Sequence, residues 1–183
     1  MIFKKTDLID SYEIIFEKNE DQRGFFSRIF CKDIMSKYNI EKNISQINNS
    51  FSKKKGTLRG FHFQSGKYSE QKIIRCIRGK LVNIVIDLRK KSKTFCKHTK
   101  IVLDSKKRNM SIVPKGFANS IQTLEDNTEM LYFSSNPYNP KYEKGILWND
   151  PYFKINWPLK PTEISKKDKN HKLFELDRKN LTF

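Results

Sequence analysis

The stretch that decides the fold is IIRCIRGKLVNIVIDL, residues 73–88. It contains two runs rich in β-branched residues on either side of Arg78-Gly79-Lys80, and this combination predicts a β-hairpin. The second run is almost continuously apolar, which is typical of a strand buried on both faces. We therefore expect this hairpin near the centre of a β-sandwich or barrel.

Strand signals continue downstream of the hairpin, whereas helical signals are few. Short strands at this spacing favour a sandwich or barrel. The further strands are predicted at residues 98–103, 110–113, 120–124 and 128–134. Residues 32–38 are compatible with a helix, and Ser165 is placed to cap a second one with Asp168 at its third helical position. Residues 135–160 are expected to form an ordered loop.

Length and composition indicate a single domain spanning residues 1–183, with enough aromatic side chains (13%) to build a core. The three cysteines show no CxxC spacing, which favours unpaired thiols in a reducing compartment. The chain shows neither a signal peptide nor an apolar run of about 18 residues. We therefore expect a cytoplasmic protein with no membrane partner.

The formal charge of +17 is spread over short basic runs rather than concentrated in one patch. A solvated basic surface is the simplest interpretation. Attraction of an anionic small ligand, such as a nucleoside diphosphate, and binding of nucleic acid remain alternatives. No nucleic-acid-binding motif accompanies the charge, so nucleic acid is not an expected partner.

Few residues are available for catalysis, because the chain has only three histidines. No HxH, HExxH or CxxC pattern supports a metal, and GxSxG, GxGxxG and P-loop motifs are absent, so no cofactor is expected. The remaining candidate is His62, within GTLRGFHFQ at residues 56–64. On a strand, His62 would face away from Phe61 and Phe63, either as a buried structural histidine or as a general base.

Residues 56–64 resemble the signature of the dTDP-4-dehydrorhamnose 3,5-epimerases, G-x-L-R-G-x-H-[YF]-Q. The similarity continues in order along nearly the whole chain. The further matching segments are DQRGFF (21–26), QINNS (46–50), PKGFA (114–118), WNDP (148–151), INWP (155–158) and ISKKD (164–168). This resemblance implies an all-β cupin jelly roll of two antiparallel sheets with a few short helices. It also implies a homodimer and a role in surface polysaccharide synthesis.

The resemblance also implies a metal-free mechanism of proton transfer next to a sugar ketone. By residue-to-residue correspondence, His62 is the general base and Asp168 fixes its tautomer. Lys72 would stabilise the developing enolate, and Tyr132 would return a proton to the opposite face of the ring. The same correspondence gives the residues expected to bind substrate: Arg23, Phe26, Arg28, Gln46, Asn48, Arg59, Asn119 and Tyr138. Arg23 and Phe26 would act on the neighbouring subunit's site, and the two arginines Arg23 and Arg59 would bind the diphosphate.

Two positions depart from the common family pattern. Asn119 replaces a histidine after PKGFA; it can donate a hydrogen bond to an enolate oxygen but cannot relay a proton. Arg28 replaces a glutamate after the Phe25-Phe26 pair, near the expected nucleobase pocket. Family members that act on GDP-linked 4-keto-6-deoxy-heptoses also carry asparagine at position 119. These departures favour GDP-4-keto-6-deoxy-heptose over dTDP-4-keto-6-deoxy-glucose as substrate.

Several functions remain open at this point. The enzyme could invert C3, C5 or both, because both carbons flank the C4 ketone. A sugar 3,4-ketoisomerase is a related alternative, although such chains lack the full signature. A nucleotide-sugar or nucleic-acid binding protein is the non-enzymatic alternative, but His62, Lys72, Tyr132 and Asp168 are all present, which favours an active enzyme.

Overall fold

The structure is a computed structural model, and it describes residues 1–41 and 43–175. Fourteen strands and two short α-helices form among these residues. In chain order the strands are β1 (Ile2–Lys5), β2 (Tyr12–Ile15), β3 (Asn19–Asp21), β4 (Gly24–Phe26), β5 (Gln46–Ser52), β6 (Thr57–Gln64), β7 (Lys72–Arg78), β8 (Lys80–Asp87), β9 (His98–Asp104), β10 (Met110–Val113), β11 (Phe117–Thr123), β12 (Thr128–Ser134), β13 (Glu143–Gly145) and β14 (Glu163–Ile164). The helices are α1 (Lys32–Ser36) and α2 (Lys166–Lys169).

Two main sheets stack face to face. One has the strand order β1-β2-β10-β7-β12-β5, and the other has the order β13-β6-β11-β8-β9 with β14 added beside β6. All pairings are antiparallel except that of β14 with β6. This arrangement confirms the predicted antiparallel jelly roll. A separate hairpin, β3–β4, pairs with neither sheet.

Strand β8 is mostly apolar on both faces because both faces are buried. Leu81 and Val85 point into the core between the two sheets. Val82, Ile84 and Ile86 point to the opposite face, where the segment ending at Phe174 covers them. This double burial agrees with the almost continuously apolar second run of residues 73–88. The hairpin predicted for the same residues is wrong, because β7 lies in the first sheet and β8 in the second, so the chain crosses between the sheets at Gly79 instead of pairing the two strands. A third apolar cluster lies beneath α1 on the outer face of the first sheet.

Most predicted element positions agree with the structure, with two differences. The strand predicted at 120–124 begins earlier, at Phe117, because Phe117 and Ala118 pair with Asp87 and Ile86 on β8. The loop predicted at 135–160 contains the short strand β13, which pairs with β6 beside His62. Among the described residues, neither helix has the length and apolar character needed to cross a bilayer.

Candidate active site

A cleft of about 600 Å³ opens between the two sheets. Each catalytic candidate comes from a different element: His62 from β6, Lys72 from β7, Tyr132 from β12 and Asp168 from α2. A second cavity of about 420 Å³ shares His62, Lys72 and Tyr132 with the first, so these three side chains lie where the two spaces meet.

His62 and Asp168 form a close pair. His62 Nε2 lies 2.7 Å from Asp168 Oδ1, and the backbone N–H of Gly60 donates to Asp168 Oδ2 at 3.2 Å. Burial alone would raise the pKa of the Asp168 carboxyl, but interactions with the imidazoles of His171 and His62 hold that pKa well below its ordinary value. An ionised Asp168 requires a proton on His62 Nε2, which leaves Nδ1 as the ring nitrogen able to accept one.

Helix α2 places Asp168 through its cap. The Ser165 hydroxyl accepts a hydrogen bond from the Asp168 N–H at 3.0 Å, as predicted for an N-cap. The Asp168 side chain does not complete a capping box. It turns instead towards β6, where it is buried against His62 and Gly60.

A bulge at Gly60 brings Arg59 and His62 to the same cleft. Strand alternation alone would put residues three apart on opposite faces, but β6 has an irregular register opposite Asn119 and Ile121. Gly60 has φ +116°, and a Cβ there would lie 2.6 Å from the Asn119 carbonyl oxygen. Only glycine fits this conformation and this close approach.

Lys72 is held between two polar partners. Its ammonium lies 3.2 Å from Glu70 Oε1, and it donates to Asn119 Oδ1 at 3.3 Å. The Asn119 amide nitrogen faces Asn83 Oδ1 at 3.5 Å. In this arrangement Asn119 orients Lys72 through its carbonyl, whereas the sequence had suggested a hydrogen bond donated to the substrate.

The two tyrosines remain protonated at neutral pH. Burial raises the pKa of Tyr132, and the negative charge of Glu70 raises it further. A hydrogen bond from the Tyr138 hydroxyl to Glu143 Oε2, 2.6 Å long, raises the pKa of Tyr138. Glu143 also pairs with Lys167 at 2.5 Å, so one carboxylate contacts both the Tyr138 hydroxyl and the Lys167 ammonium.

The eight predicted substrate-binding residues fall into three groups. Arg59 and Asn119 line the larger cavity, whereas Gln46, Asn48 and Tyr138 line the smaller one. The Arg59 guanidinium donates to the Phe51 carbonyl at 3.2 Å, which holds it near the cleft. The three residues that do not line the cleft of their own chain are Arg23, Phe26 and Arg28.

Sequence reasoning missed three cleft features. Glu70 lies two residues before Lys72, and extended geometry at that spacing could have placed both on one face. The pair of Glu143 and Lys167 could not be found from sequence spacing, because the two residues are distant in the chain and only the tertiary fold brings them together. His171 joins His62 and Asp168 so that the three ligand-capable atoms lie within 4.8 Å of one another, a group that could hold a metal ion.

Comparison with known proteins agrees with this geometry. A sequence model of the dTDP-4-dehydrorhamnose 3,5-epimerase family matches residues 5–175. The enzyme of that name from Methanothermobacter thermautotrophicus is 37% identical over 173 residues, covering 93% of this chain and 92% of its own length.

Two solved structures share the fold. The dTDP-4-dehydrorhamnose 3,5-epimerase from Elizabethkingia anophelis NUHP1 superposes with a TM-score of 0.91 at 31% identity, covering 95% of this chain and 96% of its own. The dTDP-6-deoxy-D-glucose-3,5-epimerase from Legionella pneumophila, in complex with dTDP-4-keto-L-rhamnose, superposes with a TM-score of 0.87 at 30% identity, covering 94% and 92%. The chain therefore belongs to the dTDP-4-dehydrorhamnose 3,5-epimerase family and is an isomerase of the epimerase type.

Proposed function

We propose that this protein epimerises a dTDP-linked 4-keto-6-deoxy-hexose at the carbons that flank the ketone. The observation that carries the proposal is the 2.7 Å contact between His62 and the ionised Asp168 in a cleft that also contains Lys72 and Tyr132. The related Legionella enzyme has dTDP-4-keto-L-rhamnose bound. In a substrate of this class the C–H bonds next to the ketone are weakly acidic, and these four side chains could remove and return such a proton.

In the proposed reaction His62 acts as the base. Its Nδ1 takes the proton from C3 or C5, and Asp168 stabilises the imidazolium that forms. The electron pair of the broken C–H bond moves onto the C4 oxygen and gives an enolate. Lys72, fixed by Glu70 and Asn119, presents its remaining N–H to that oxygen.

Tyr132 completes the inversion. Its raised pKa keeps the phenol protonated, so it can donate to the opposite face of the same carbon. The enolate then returns to the ketone with inverted configuration. Tyr138 would line the sugar site beside Gln46, whose side chain accepts from the Tyr138 N–H.

Phosphate binding is assigned to Arg59 from the same chain and Arg23 from a neighbouring subunit. Arg23 and Phe26 lie on the β3–β4 hairpin, outside their own cleft, and Phe26 is 64% exposed. Exposed apolar side chains at Ile47, Phe51 and Ile77 on the first sheet offer a surface for a second copy. We therefore include a homodimer in the proposal.

Mixing two impaired variants tests this arrangement. In a heterodimer of His62→Asn and Arg23→Ala subunits, one cleft combines an intact His62 with the partner's intact arginine. Recovery of activity on mixing supports hairpin exchange. Activity that stays at the sum of the two separate variants places Arg23 outside the partner's site.

A GDP-linked 4-keto-6-deoxy-heptose is the second candidate substrate, favoured by Asn119 and Arg28. The experiment compares kcat/KM for this compound and for dTDP-4-keto-6-deoxy-glucose. We expect the dTDP sugar to be turned over faster, because relatives that share 30–37% identity carry dTDP-sugar names. Faster turnover of the GDP sugar would reassign the nucleotide while leaving the proton chemistry intact.

A further inference from the structure

His171 is a titratable side chain at the catalytic pair to which the proposed reaction assigns no role. It lies just beyond α2, and its side chain is 13% exposed. Its Nε2 lies 3.5 Å from Asp168 Oδ1, the same oxygen that contacts His62. The His62 and His171 rings meet edge to face, with centroids 5.6 Å apart and planes at 80°.

The buried ring nitrogen lacks a close partner. His171 Nε2 makes no hydrogen bond of normal geometry within residues 1–41 and 43–175. A buried polar atom left in this state is costly, so it needs an explanation. The charged acceptor Asp168 Oδ1 lies close by: its distance from His171 Nε2 is only about 0.5 Å longer than a good hydrogen bond. A small movement of either side chain would therefore form the bond.

Gly145 gives a second, independent indication that the site is shaped around this imidazole. Strand β13 places Gly145 opposite His62 in the sheet register. A Cβ at position 145 would lie 2.3 Å from His171 Nε2 and Cε1. The missing side chain therefore leaves the space that the His171 ring occupies, directly beside the catalytic base.

We propose that His171 is a positioning residue that donates its Nε2–H to Asp168 Oδ1 and so holds the carboxylate against His62. The inference rests on the proposed function and extends it by one residue. Asp168 is then fixed at both oxygens, by the Gly60 N–H on Oδ2 and by two imidazoles on Oδ1. A carboxylate held in this way keeps the His62 ring in one orientation throughout the proton transfer.

Two substitutions at position 171 separate the hydrogen bond from the packing. His171→Phe keeps a ring over Gly145 but removes the donor, whereas His171→Gln carries an amide N–H at a similar reach. We expect kcat to fall about tenfold in the phenylalanine variant with KM within about twofold, and glutamine to restore most of the loss. Gly145→Ala, which displaces the ring, should reproduce the kcat loss.

A measurement without substrate keeps this inference separate from the proposed function. The ¹⁵N shifts of the His62 ring report which nitrogen carries the proton in the resting protein. We expect a single Nε2–H tautomer in the wild type and a mixture of tautomers in folded His171→Phe. Unchanged ring shifts together with wild-type kcat, or a kcat loss that glutamine does not restore, would overturn the positioning role. If the wild type turned over neither sugar, the proposed function would fail. The ¹⁵N shifts of the His62 ring would still decide whether His171 positions Asp168.

Discussion

Asp168 joins His62, the proposed base, to the bulge in β6 that positions it. One carboxylate oxygen lies 2.7 Å from His62 Nε2, and the other accepts the N–H of Gly60, two residues earlier on the same strand. A single acidic side chain thus fixes both the tautomer of His62 and the backbone that carries it. The geometry of the candidate site and the local fold therefore depend on the same residue.

We expect His62→Asn to lower turnover by at least about 10³-fold while the fold is retained. Asparagine cannot accept a proton at neutral pH, and the His62 side chain lines an open cleft instead of filling the core. Steady-state kinetics measure the loss of turnover, and a thermal melt checks that the fold is retained. A folded variant with near-normal turnover would remove His62 from the mechanism.

Asp168→Asn is expected to reduce kcat by about 10³- to 10⁴-fold, because the neutral amide neither stabilises the imidazolium nor fixes one tautomer. Ser165→Ala is the matched control: it removes the cap hydrogen bond of the same helix and leaves the carboxylate in place. We expect the control to lose about 1 kcal/mol of stability with kcat changed only slightly. Equal kcat losses in both variants would mean that Asp168 serves mainly to hold the helix.

Gly60→Ala should destabilise the protein by about 2–4 kcal/mol, because a Cβ would collide with the Asn119 carbonyl and the φ of +116° disfavours alanine. Urea unfolding measures the loss. Gly24→Ala provides a comparison: φ is also positive at Gly24, but the space around it is open. If both variants lost the same stability, backbone strain alone would explain the effect at Gly60.

Glu70→Gln should shift the basic limb of the pH–rate profile. In the proposed mechanism Tyr132 acts as an acid, so activity is lost as pH rises through its pKa, which burial and then Glu70 raise above the usual value. Removing the Glu70 charge lowers that pKa, so the decline should begin at lower pH. A profile that is unchanged, or that moves to higher pH, would separate Glu70 from the Tyr132 titration.

Much of the fold could be predicted because its signals are local. The double burial of β8 was visible as an almost continuous apolar run, and the Ser165 cap was visible from residue types alone. The site was predicted differently. The four catalytic candidates come from four different elements. Only the family resemblance grouped His62, Lys72, Tyr132 and Asp168 before the structure placed them in one cleft.

What sequence reasoning could not provide depends on long-range geometry. The bulge at Gly60 breaks the two-residue period, and strict alternation along β6 would not bring Arg59 to the same face as His62. The contact between Asn119 and Lys72 joins β11 to β7 across the sandwich, and no local pattern encodes it. His171 approaches Asp168 because the chain turns just after α2, at a spacing that a capping pattern does not describe.

The most direct test of the central claim is solvent deuterium exchange into dTDP-4-keto-6-deoxy-glucose in D₂O, followed by NMR at C3 and C5. We expect the wild type to place deuterium at one or both of these carbons with inversion, and His62→Asn to place none above the uncatalysed background. Label at both carbons would define a 3,5-epimerase, and label at C3 alone a 3-epimerase. Absence of label with the wild-type enzyme, or equal labelling by His62→Asn, would contradict proton abstraction by His62 from this substrate.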